Sequence, residues 1–252
     1  MNIDHPRNDQ IGQLRSLWKT AFGDTEDFLD LFFQTAFSPS RCLCANRGDT
    51  VAGVLYWFDI QWAGKRFAYL YAIATAPEHR GKGICAGLME AVKSQLSQGG
   101  YTGLLLVPQD GGLAAMYRKM GFSHCTNMRE FSCPAGNVSE EFRQVDAQEY
   151  ARLRYRLLPP GGAVQEGENL RFLAAQALLL AGKDWLCAAY SDGKTLRCAE
   201  LLGNTAAAPG IVRAMGFDEG HFRCPGEEQP FAMGFPLTPD CRFPNYLGLI
   251  FD

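Results

Sequence analysis

The chain has 252 residues, of which 47% are apolar and 20% are charged, and its net charge is −3. This composition is typical of a globular protein with room for one large domain or two small ones. The slight negative charge argues against a nucleic-acid partner, and no uncharged apolar run approaches the ~18 residues of a membrane span.

The cysteines and histidines predict neither a disulfide framework nor a metal site. Nine cysteines are scattered without a CxxC pair, and none of the four histidines stands at metal-ligand spacing. No signal-peptide segment is recognisable at the start of the sequence. We therefore expect free, mostly buried thiols and a location in the reducing cytoplasm.

The first half of the chain predicts alternating helices and strands. Apolar stripes favour two helices between residues 11 and 37, with Thr25 capping the second. Apolar runs around Gly-containing turns favour a hairpin that leads into a long strand. The predicted elements after the two helices are strands 41–45, 51–58 and 65–75, helix 84–97, strand 103–107, helix 113–120 and strand 125–133.

The second half begins after a break at Pro134-Ala-Gly-Asn137, which predicts a domain boundary. Its predicted elements are helices 145–158 and 170–180, strands 185–190 and 195–202, a loop and short helix within 205–215, and a final strand 231–237.

Two six-residue segments echo each other across the two halves. Residues 117–122 read Tyr-Arg-Lys-Met-Gly-Phe, and residues 212–217 read Val-Arg-Ala-Met-Gly-Phe. Each segment follows a short strand and a helix and precedes a Cys-Pro pair. We interpret the echo as a tandem of related units, although a chance match is the alternative.

Charge is distributed unequally between the halves. Residues 1–137 hold 13 basic and 12 acidic side chains, whereas residues 138–252 hold 11 and 15. An acidic second half would favour a cationic co-substrate, and an ordinary solvated acidic face is the simpler interpretation.

A Gly-rich basic turn separates the long strand 65–75 from the helix 84–97. It reads Ala76-Pro-Glu-His-Arg-Gly-Lys-Gly-Ile-Cys-Ala86. A turn of this kind presents unpaired backbone N–H groups and the positive end of a helix dipole to a phosphate. A Walker A loop is excluded because Gly83 follows Lys82, and a dinucleotide fingerprint is excluded because its third glycine is missing.

The turn resembles the acyl-CoA loop of the GNAT N-acetyltransferase superfamily, whose pattern is (Gln/Arg)-x-x-Gly-x-(Gly/Ala). Arg80 to Cys85 match this pattern except at the last position, where Cys85 replaces a glycine or alanine. Residues 73–78 resemble the end of the family's fourth strand, and residues 116–122 resemble its tyrosine-bearing segment. The order of elements agrees over about residues 10–133.

The resemblance implies an α/β (α+β) GNAT fold, a mixed sheet in which the fourth and fifth strands, 65–75 and 103–107, splay apart to admit pantetheine. It implies that acetyl-CoA is the co-substrate. The cofactor-binding residues that it implies are Ile73, Ala74, Thr75, Arg80, Gly81, Lys82, Gly83, Ile84, Cys85 and Ala86. Tyr117 stands where the family has its general acid, although packing within a helix is the alternative.

The general base stays open. Tyr69 and Tyr71 occupy strand positions where many relatives carry a glutamate, and Asp59 and Asp110 are candidates that could act through water. In two-unit relatives that acetylate aminoglycosides a terminal carboxylate reaches the active site, which makes Asp252 a further candidate.

We predict that residues 1–137 form the catalytic domain and that residues 138–252 form a degenerate GNAT-like unit. The predicted function is transfer of an acetyl group from acetyl-CoA to a primary amine of a small molecule or peptide. The alternative is a non-catalytic acyl-CoA-binding regulatory module. No metal, membrane or nucleic-acid partner is expected, and a homodimer is one assembly that the sequence allows.

Overall fold

The computed structural model describes residues 1–251, so Asp252, the candidate terminal carboxylate, lies outside the described residues. The chain divides into two compact units. The first contains Met1–Ile60, Gly64–Ser123 and Met233–Arg242, and the second contains Gln61–Ala63, His124–Ala232 and Phe243–Asp252.

The helices alternate with strands along the whole chain. The α-helices are α1 (Ile11–Phe22), α2 (Glu26–Thr35), α3 (Ile84–Gln98), α4 (Gly111–Lys119), α5 (Ala147–Leu157), α6 (Glu168–Gln176) and α7 (Ala208–Ala214). Short 3-10 turns lie at Asn8–Gln10, Pro39–Arg41, Pro77–His79 and Thr205–Ala207. The strands are β1 (Asn2–Asp4), β2 (Cys42–Arg47), β3 (Thr50–Trp62), β4 (Lys65–Thr75), β5 (Gly103–Leu106), β6 (Ser123–His124), β7 (Asn127–Pro134), β8 (Arg143–Gln144), β9 (Leu178–Ala181), β10 (Trp185–Asp192), β11 (Thr195–Gly203), β12 (Glu219–Pro230) and β13 (Met233–Pro236).

The sheet of the first unit has the order β1-β2-β3-β4-β5-β13-β6. It is a mixed sheet, because β4 and β5 are parallel while β2–β3 and β5–β13 are antiparallel. One face carries α3, whose buried residues Ile84, Leu88 and Val92 recur at helical spacing. They pack into a core cluster with Leu104 and Leu106 of β5.

An aromatic cluster joins α1 and α2 of this unit to β3. Trp18 of α1 lies 4.5 Å from the ring of Phe32 of α2 and 5.2 Å from the ring of Tyr56 of β3. Thr25 caps α2 as predicted, since its hydroxyl accepts from the Phe28 amide at 3.2 Å. The predicted helices and the hairpin of this half are confirmed.

The sheet of the second unit has the order β7-β12-β11-β10-β9-β8. Its β11 and β12 are parallel over residues 195–198 and 219–222, and α7 connects them. The buried residues Ile211 and Val212 of α7 pack on Trp185 and Phe222 to form this unit's core.

One predicted helix of the second half is too long, one strand was missed, and two strands pair across the predicted domain boundary. The predicted helix 170–180 ends at Gln176, and residues 178–181 form β9, because its leucines pair with β10. Strand β12 was not predicted, because its polar residues give it no clean alternation. The first unit does not end at residue 137: Asn127–Pro134 pairs with β12 in the second sheet, whereas Met233–Pro236 pairs with β5 in the first.

No helix within residues 1–251 is both long enough and apolar enough to cross a bilayer.

Candidate active site

The parallel pair β4–β5 opens partway along its length. Register pairs join Phe67 to Gly103 and Tyr69 to Leu105, and β5 ends at Leu106. The rest of β4, residues 70–75, therefore continues beyond its ladder with β5. The GNAT resemblance implied that the two strands part here, and we call the space beside residues 70–75 of β4 the slot.

The backbone of β4 is irregular at the mouth of this slot. Ala72 has a φ of +46°, in the left-handed region that non-glycine residues seldom occupy. A residue held in this way turns the strand locally, as in a bulge, and it costs about 1–2 kcal/mol relative to glycine. The flanking residues Tyr71 and Ile73 are half-buried. No sequence signal marked Ala72, because alanine is unremarkable in a strand.

The turn after β4 presents a run of unpartnered backbone amides. Within residues 1–251, the N–H groups of residues 81–86 donate to no protein acceptor. Gly81 and Gly83 have φ values of +73° and +76°, and a Cβ at either would meet no atom within 4 Å. The last three amides open α3, a 15-residue helix. Six consecutive donors at a helix start form a site for an anion, and the two glycines leave room for it to approach.

The two cationic side chains of the turn stabilise its backbone. Arg80 Nε donates to the Thr75 carbonyl at 3.3 Å, and Lys82 Nζ donates to the Glu78 carbonyl at 2.7 Å. Both side chains are exposed, so their charges stay beside the unpartnered amides. The turn therefore adds positive charge to a site that its dipole and amides already favour for an anion.

A close approach of helix to sheet fixes the position of this turn. A Cβ on Gly53 of β3 would lie 2.5 Å from Ile84 Cγ2 and 3.1 Å from the Ala74 carbonyl oxygen. The Ala76 amide also donates to the Ala52 carbonyl at 3.0 Å. Glycine at this position thus lets α3 begin directly against the sheet, where Ile84 is buried.

Tyr117 belongs to the packed cluster that borders the slot. It lies on α4, is 6% exposed, and shares the cluster with Ile73 and Cys85. Within residues 1–251 its hydroxyl has no hydrogen-bond partner. Burial, and to a smaller degree the nearby Cys85 thiol, raises the pKa of Tyr117, so the phenol keeps its proton at neutral pH. A protonated phenol with no acceptor can donate to a bound ligand.

Cys85 is the second residue of α3 and is partly exposed. Burial raises the pKa of its thiol, so the thiol stays protonated at neutral pH despite the helix start. This environment favours a small packing residue over a reactive nucleophile. The other cysteines within residues 1–251 are also free thiols.

The structure places the two aspartates proposed as bases in other roles. Asp59 accepts from Arg66 Nη2 at 3.2 Å and from the Tyr101 hydroxyl, near the start of β4 rather than at its open end. Asp110 is the N-cap of α4, since its carboxylate accepts from the Leu113 amide at 2.8 Å. We therefore withdraw Asp59 as a candidate base. Asp110 remains exposed and could act only through water.

The site residues that the sequence predicted lie along one continuous path. The open end of β4, the amide turn and the start of α3 follow each other in the chain, and the cluster of Tyr117 borders them. Within residues 1–251, no group of three or more His, Cys, Asp or Glu side chains is placed to hold a metal ion.

Comparison with known proteins identifies the family. Residues 2–125 match the model of the acetyltransferase (GNAT) domain. This part of the chain is therefore a domain of the acetyltransferase (GNAT) family. No curated protein matches the sequence.

Solved structures share the fold across both units at low sequence identity. A GCN5-related N-acetyltransferase from Kribbella flavida matches with a TM-score of 0.69 and 17% identity, over 94% of this chain and 72% of that one. A GCN5-related N-acetyltransferase from Anabaena variabilis matches with a TM-score of 0.70 and 16% identity, over 94% of this chain and 73% of that one. Eis1 from Mycobacterium abscessus matches with a TM-score of 0.66 and 14% identity, over 94% of this chain and 74% of that one. These similarities confirm the predicted α/β GNAT fold.

Proposed function

We propose that the first unit transfers an acetyl group from acetyl-CoA to a primary amine of a small molecule or peptide. The observation that carries the proposal is the run of unpartnered amides at residues 81–86, directly after a strand that diverges from its neighbour. The match of residues 2–125 to the acetyltransferase (GNAT) domain supports the reaction class.

The amide turn would hold the pyrophosphate of CoA. Gly81 and Gly83 let the backbone approach its oxygens, and the amides of residues 84–86 donate along the helix axis. Cys85 replaces the usual glycine or alanine of the family pattern, and its partly exposed side chain would leave less room for the pyrophosphate at the turn. Arg80 and Lys82 add charge without having to leave their carbonyl partners.

The open half of β4 would hold pantetheine by backbone hydrogen bonds from Ile73, Ala74 and Thr75. The Thr75 carbonyl already accepts from Arg80, so we expect the other backbone groups of this segment to contribute most. The turn in the backbone at Ala72 would aim one N–H at the thioester carbonyl, where charge develops during attack.

Tyr117 would act as the general acid. The neutral amine attacks the thioester carbon, a C–N bond forms, the C–S bond breaks, and sulfur leaves with the electron pair. The phenol donates its proton to that sulfur, and the surplus amine proton passes to solvent. The raised pKa of Tyr117 fits this role, because the phenol must carry its proton when the thiolate forms.

Thiol release from acetyl-CoA, measured with a panel of polyamines, aminoglycosides and amino-terminal peptides, tests the proposal. We expect acceptor-dependent release that Tyr117→Phe lowers by about 10²-fold or more. The matched control is Tyr101→Phe, a buried tyrosine near the start of β4. If CoA binds but no acceptor supports release, the unit is the non-catalytic acyl-CoA-binding module instead. Failure to bind CoA contradicts both.

We also propose that the second unit is a degenerate copy of the first. Its parallel strands β11 and β12 are joined by a helix, like β4 and β5. The connection runs Asn204-Thr-Ala-Ala-Ala208 and lacks the Arg-Gly-Lys-Gly segment. The proposed chemistry therefore belongs to the first unit, which contains β4, the amide turn and α3.

A further inference from the structure

A groove of about 640 Å³ lies between α5 and α6 of the second unit. The residues of its lining that matter here are Arg152, Tyr155, Arg156, Glu166, Leu170 and Arg171. Its volume falls within the range of about 300–1,000 Å³ that is usual for small-molecule sites. Nothing in the proposed transfer reaction uses this groove.

Three arginines of the groove make no hydrogen bond or ion pair with the described residues, although the charge of Arg152 helps to lower the pKa of Glu149. Within residues 1–251, Arg152, Arg156 and Arg171 form no side-chain hydrogen bond or ion pair, and all three are exposed. Elsewhere on the same unit, Arg143 binds the Glu149 carboxylate through both of its terminal nitrogens at 2.8 and 2.6 Å. The carboxylate nearest to Arg152 in sequence is thus already engaged.

The arginines concentrate positive charge in an otherwise acidic half of the chain. Residues 138–252 hold 11 basic and 15 acidic side chains, yet the groove carries three arginines against the single carboxylate of Glu166. Arg152 and Arg156 are four residues apart on α5, where like charges repel each other and destabilise the helix. A bound anion would remove this repulsion and pair with guanidinium forks that suit phosphate oxygens.

The groove also offers an aromatic surface and a sugar-binding group. Tyr155 is 68% exposed, which is unusual for so large a ring, and it stands one helical turn after Arg152. Leu170 is buried to 2% exposure and gives the groove an apolar floor. A nucleobase can stack on the exposed face of a tyrosine ring. The carboxylate of Glu166 can accept from ribose hydroxyls.

We propose that this groove binds a nucleotide, with the phosphates on Arg152, Arg156 and Arg171 and the base on Tyr155. The chemistry of the lining favours this class over a simple anion, because phosphate alone would leave Tyr155 and Glu166 without a role. The site is separate from the amide turn of the first unit and does not rest on the proposed acetyl transfer.

Calorimetric titration of the full chain with ADP, inorganic phosphate and adenosine tests the site. CoA is left out, because it contains an adenine nucleotide and would itself compete for the groove. The ADP binding that R152A/R156A removes is the binding assigned to the groove. We expect one equivalent of ADP to bind more tightly than phosphate, and adenosine to bind weakly. R152A/R156A should weaken ADP binding at least about tenfold, and Y155A should weaken ADP binding but leave phosphate binding unchanged.

Arg213→Ala is the matched control, because Arg213 is an exposed arginine at the end of α7 and outside the groove. It should leave ADP affinity unchanged, and an unchanged circular dichroism spectrum shows that each variant folds. The proposal is overturned if ADP does not bind or if R152A/R156A binds ADP as tightly as the unchanged protein does. It is also overturned if an oligoglutamate peptide binds the groove while ADP does not. If the protein does not bind CoA, the proposed acetyl transfer fails, but the ADP titration of the groove variants still tests the groove.

Discussion

The Cys85 thiol at the start of α3 adds to the effect of burial in raising the pKa of the Tyr117 phenol on α4. Both groups carry their protons at neutral pH, and burial, which raises the pKa of each, keeps them protonated to a higher pH. The two side chains thus place an uncharged thiol and an uncharged phenol at the slot where a CoA sulfur would depart. This relationship sets the expected pH profile.

We expect kcat/KM to rise with pH as the acceptor amine loses its proton, and to show no fall from Tyr117 up to about pH 10. Because the pKa of Tyr117 is raised, the phenol keeps its proton to a higher pH than an ordinary tyrosine does. Cys85→Ala removes the smaller of the two causes that raise the pKa of Tyr117, so it should lower that pKa slightly. An alkaline fall near pH 10 that disappears in Tyr117→Phe would show that the phenol titrates normally.

The amide turn depends on the left-handed backbone of Gly83. Alanine there must either hold a φ near +76° or move, at a cost of about 1–2 kcal/mol. We expect Gly83→Ala to weaken CoA binding about tenfold, or ~1.4 kcal/mol, because two donor amides reorient. Gly100→Ala is the control, since Gly100 has a φ of +74° after the far end of α3. Equal CoA affinity in both variants would contradict the assignment.

The sequence predicted this site because the information is local. The strand, the Gly-rich turn and the helix are contiguous, and the tyrosine segment has its own pattern. The partners of β7 and β13 were not predictable, because each pairs with a strand about 90 or more residues away. Strand propensity indicates that a segment is extended but does not indicate its neighbour. The role of Asp59 likewise depends on a residue that is distant in sequence, Tyr101.

Ala72 stores backbone strain that glycine would release. We expect Ala72→Gly to raise the free energy of unfolding by about 0.5–1 kcal/mol, since relief of the left-handed φ outweighs the added entropy of the unfolded chain. The freed backbone should also lower kcat by a few-fold. Ala63→Gly is the matched control for Ala72→Gly, because Ala63 also has a left-handed φ, of +50°, but lies in a turn. Urea unfolding and thiol release measure both effects. A less stable Ala72→Gly variant would refute the strain.

Tyr101 makes stability fall at alkaline pH. Burial, and then its hydrogen bond to Asp59, raises the pKa of Tyr101 to about 12, while Arg66 donates to the phenol at 2.6 Å. A raised pKa means that the folded state holds the proton more tightly, so the stabilisation is complete below about pH 10 and is lost as pH rises toward 12. Unfolding free energy measured over this window should fall by at most about 2 kcal/mol. Tyr101→Phe should remove that part of the fall, and an unchanged slope would contradict it.

A buried ion pair stabilises the second unit. Arg154 Nε and Nη2 donate to the Glu200 carboxylate at 2.7 and 2.9 Å, and the two side chains are 1% and 0% exposed. The Tyr246 hydroxyl donates to the same carboxylate at 3.0 Å, and Arg154 Nη1 donates to the Ala163 carbonyl at 2.9 Å. Both charges are thus satisfied in a region without solvent, where losing one partner leaves the other unpaired.

Arg154→Met should therefore lower the free energy of unfolding by about 3–5 kcal/mol, because Glu200 stays buried with its charge uncompensated. The double variant R154M/E200Q should recover much of this loss, since a neutral amide can still accept from Tyr246. Arg213→Met, on an exposed arginine of the same unit, should change stability by less than about 0.5 kcal/mol. Denaturant unfolding of the three variants measures these differences. If the double variant is no more stable than Arg154→Met, unpaired charge is not the cause of the loss, and the packing of the arginine stem accounts for it instead.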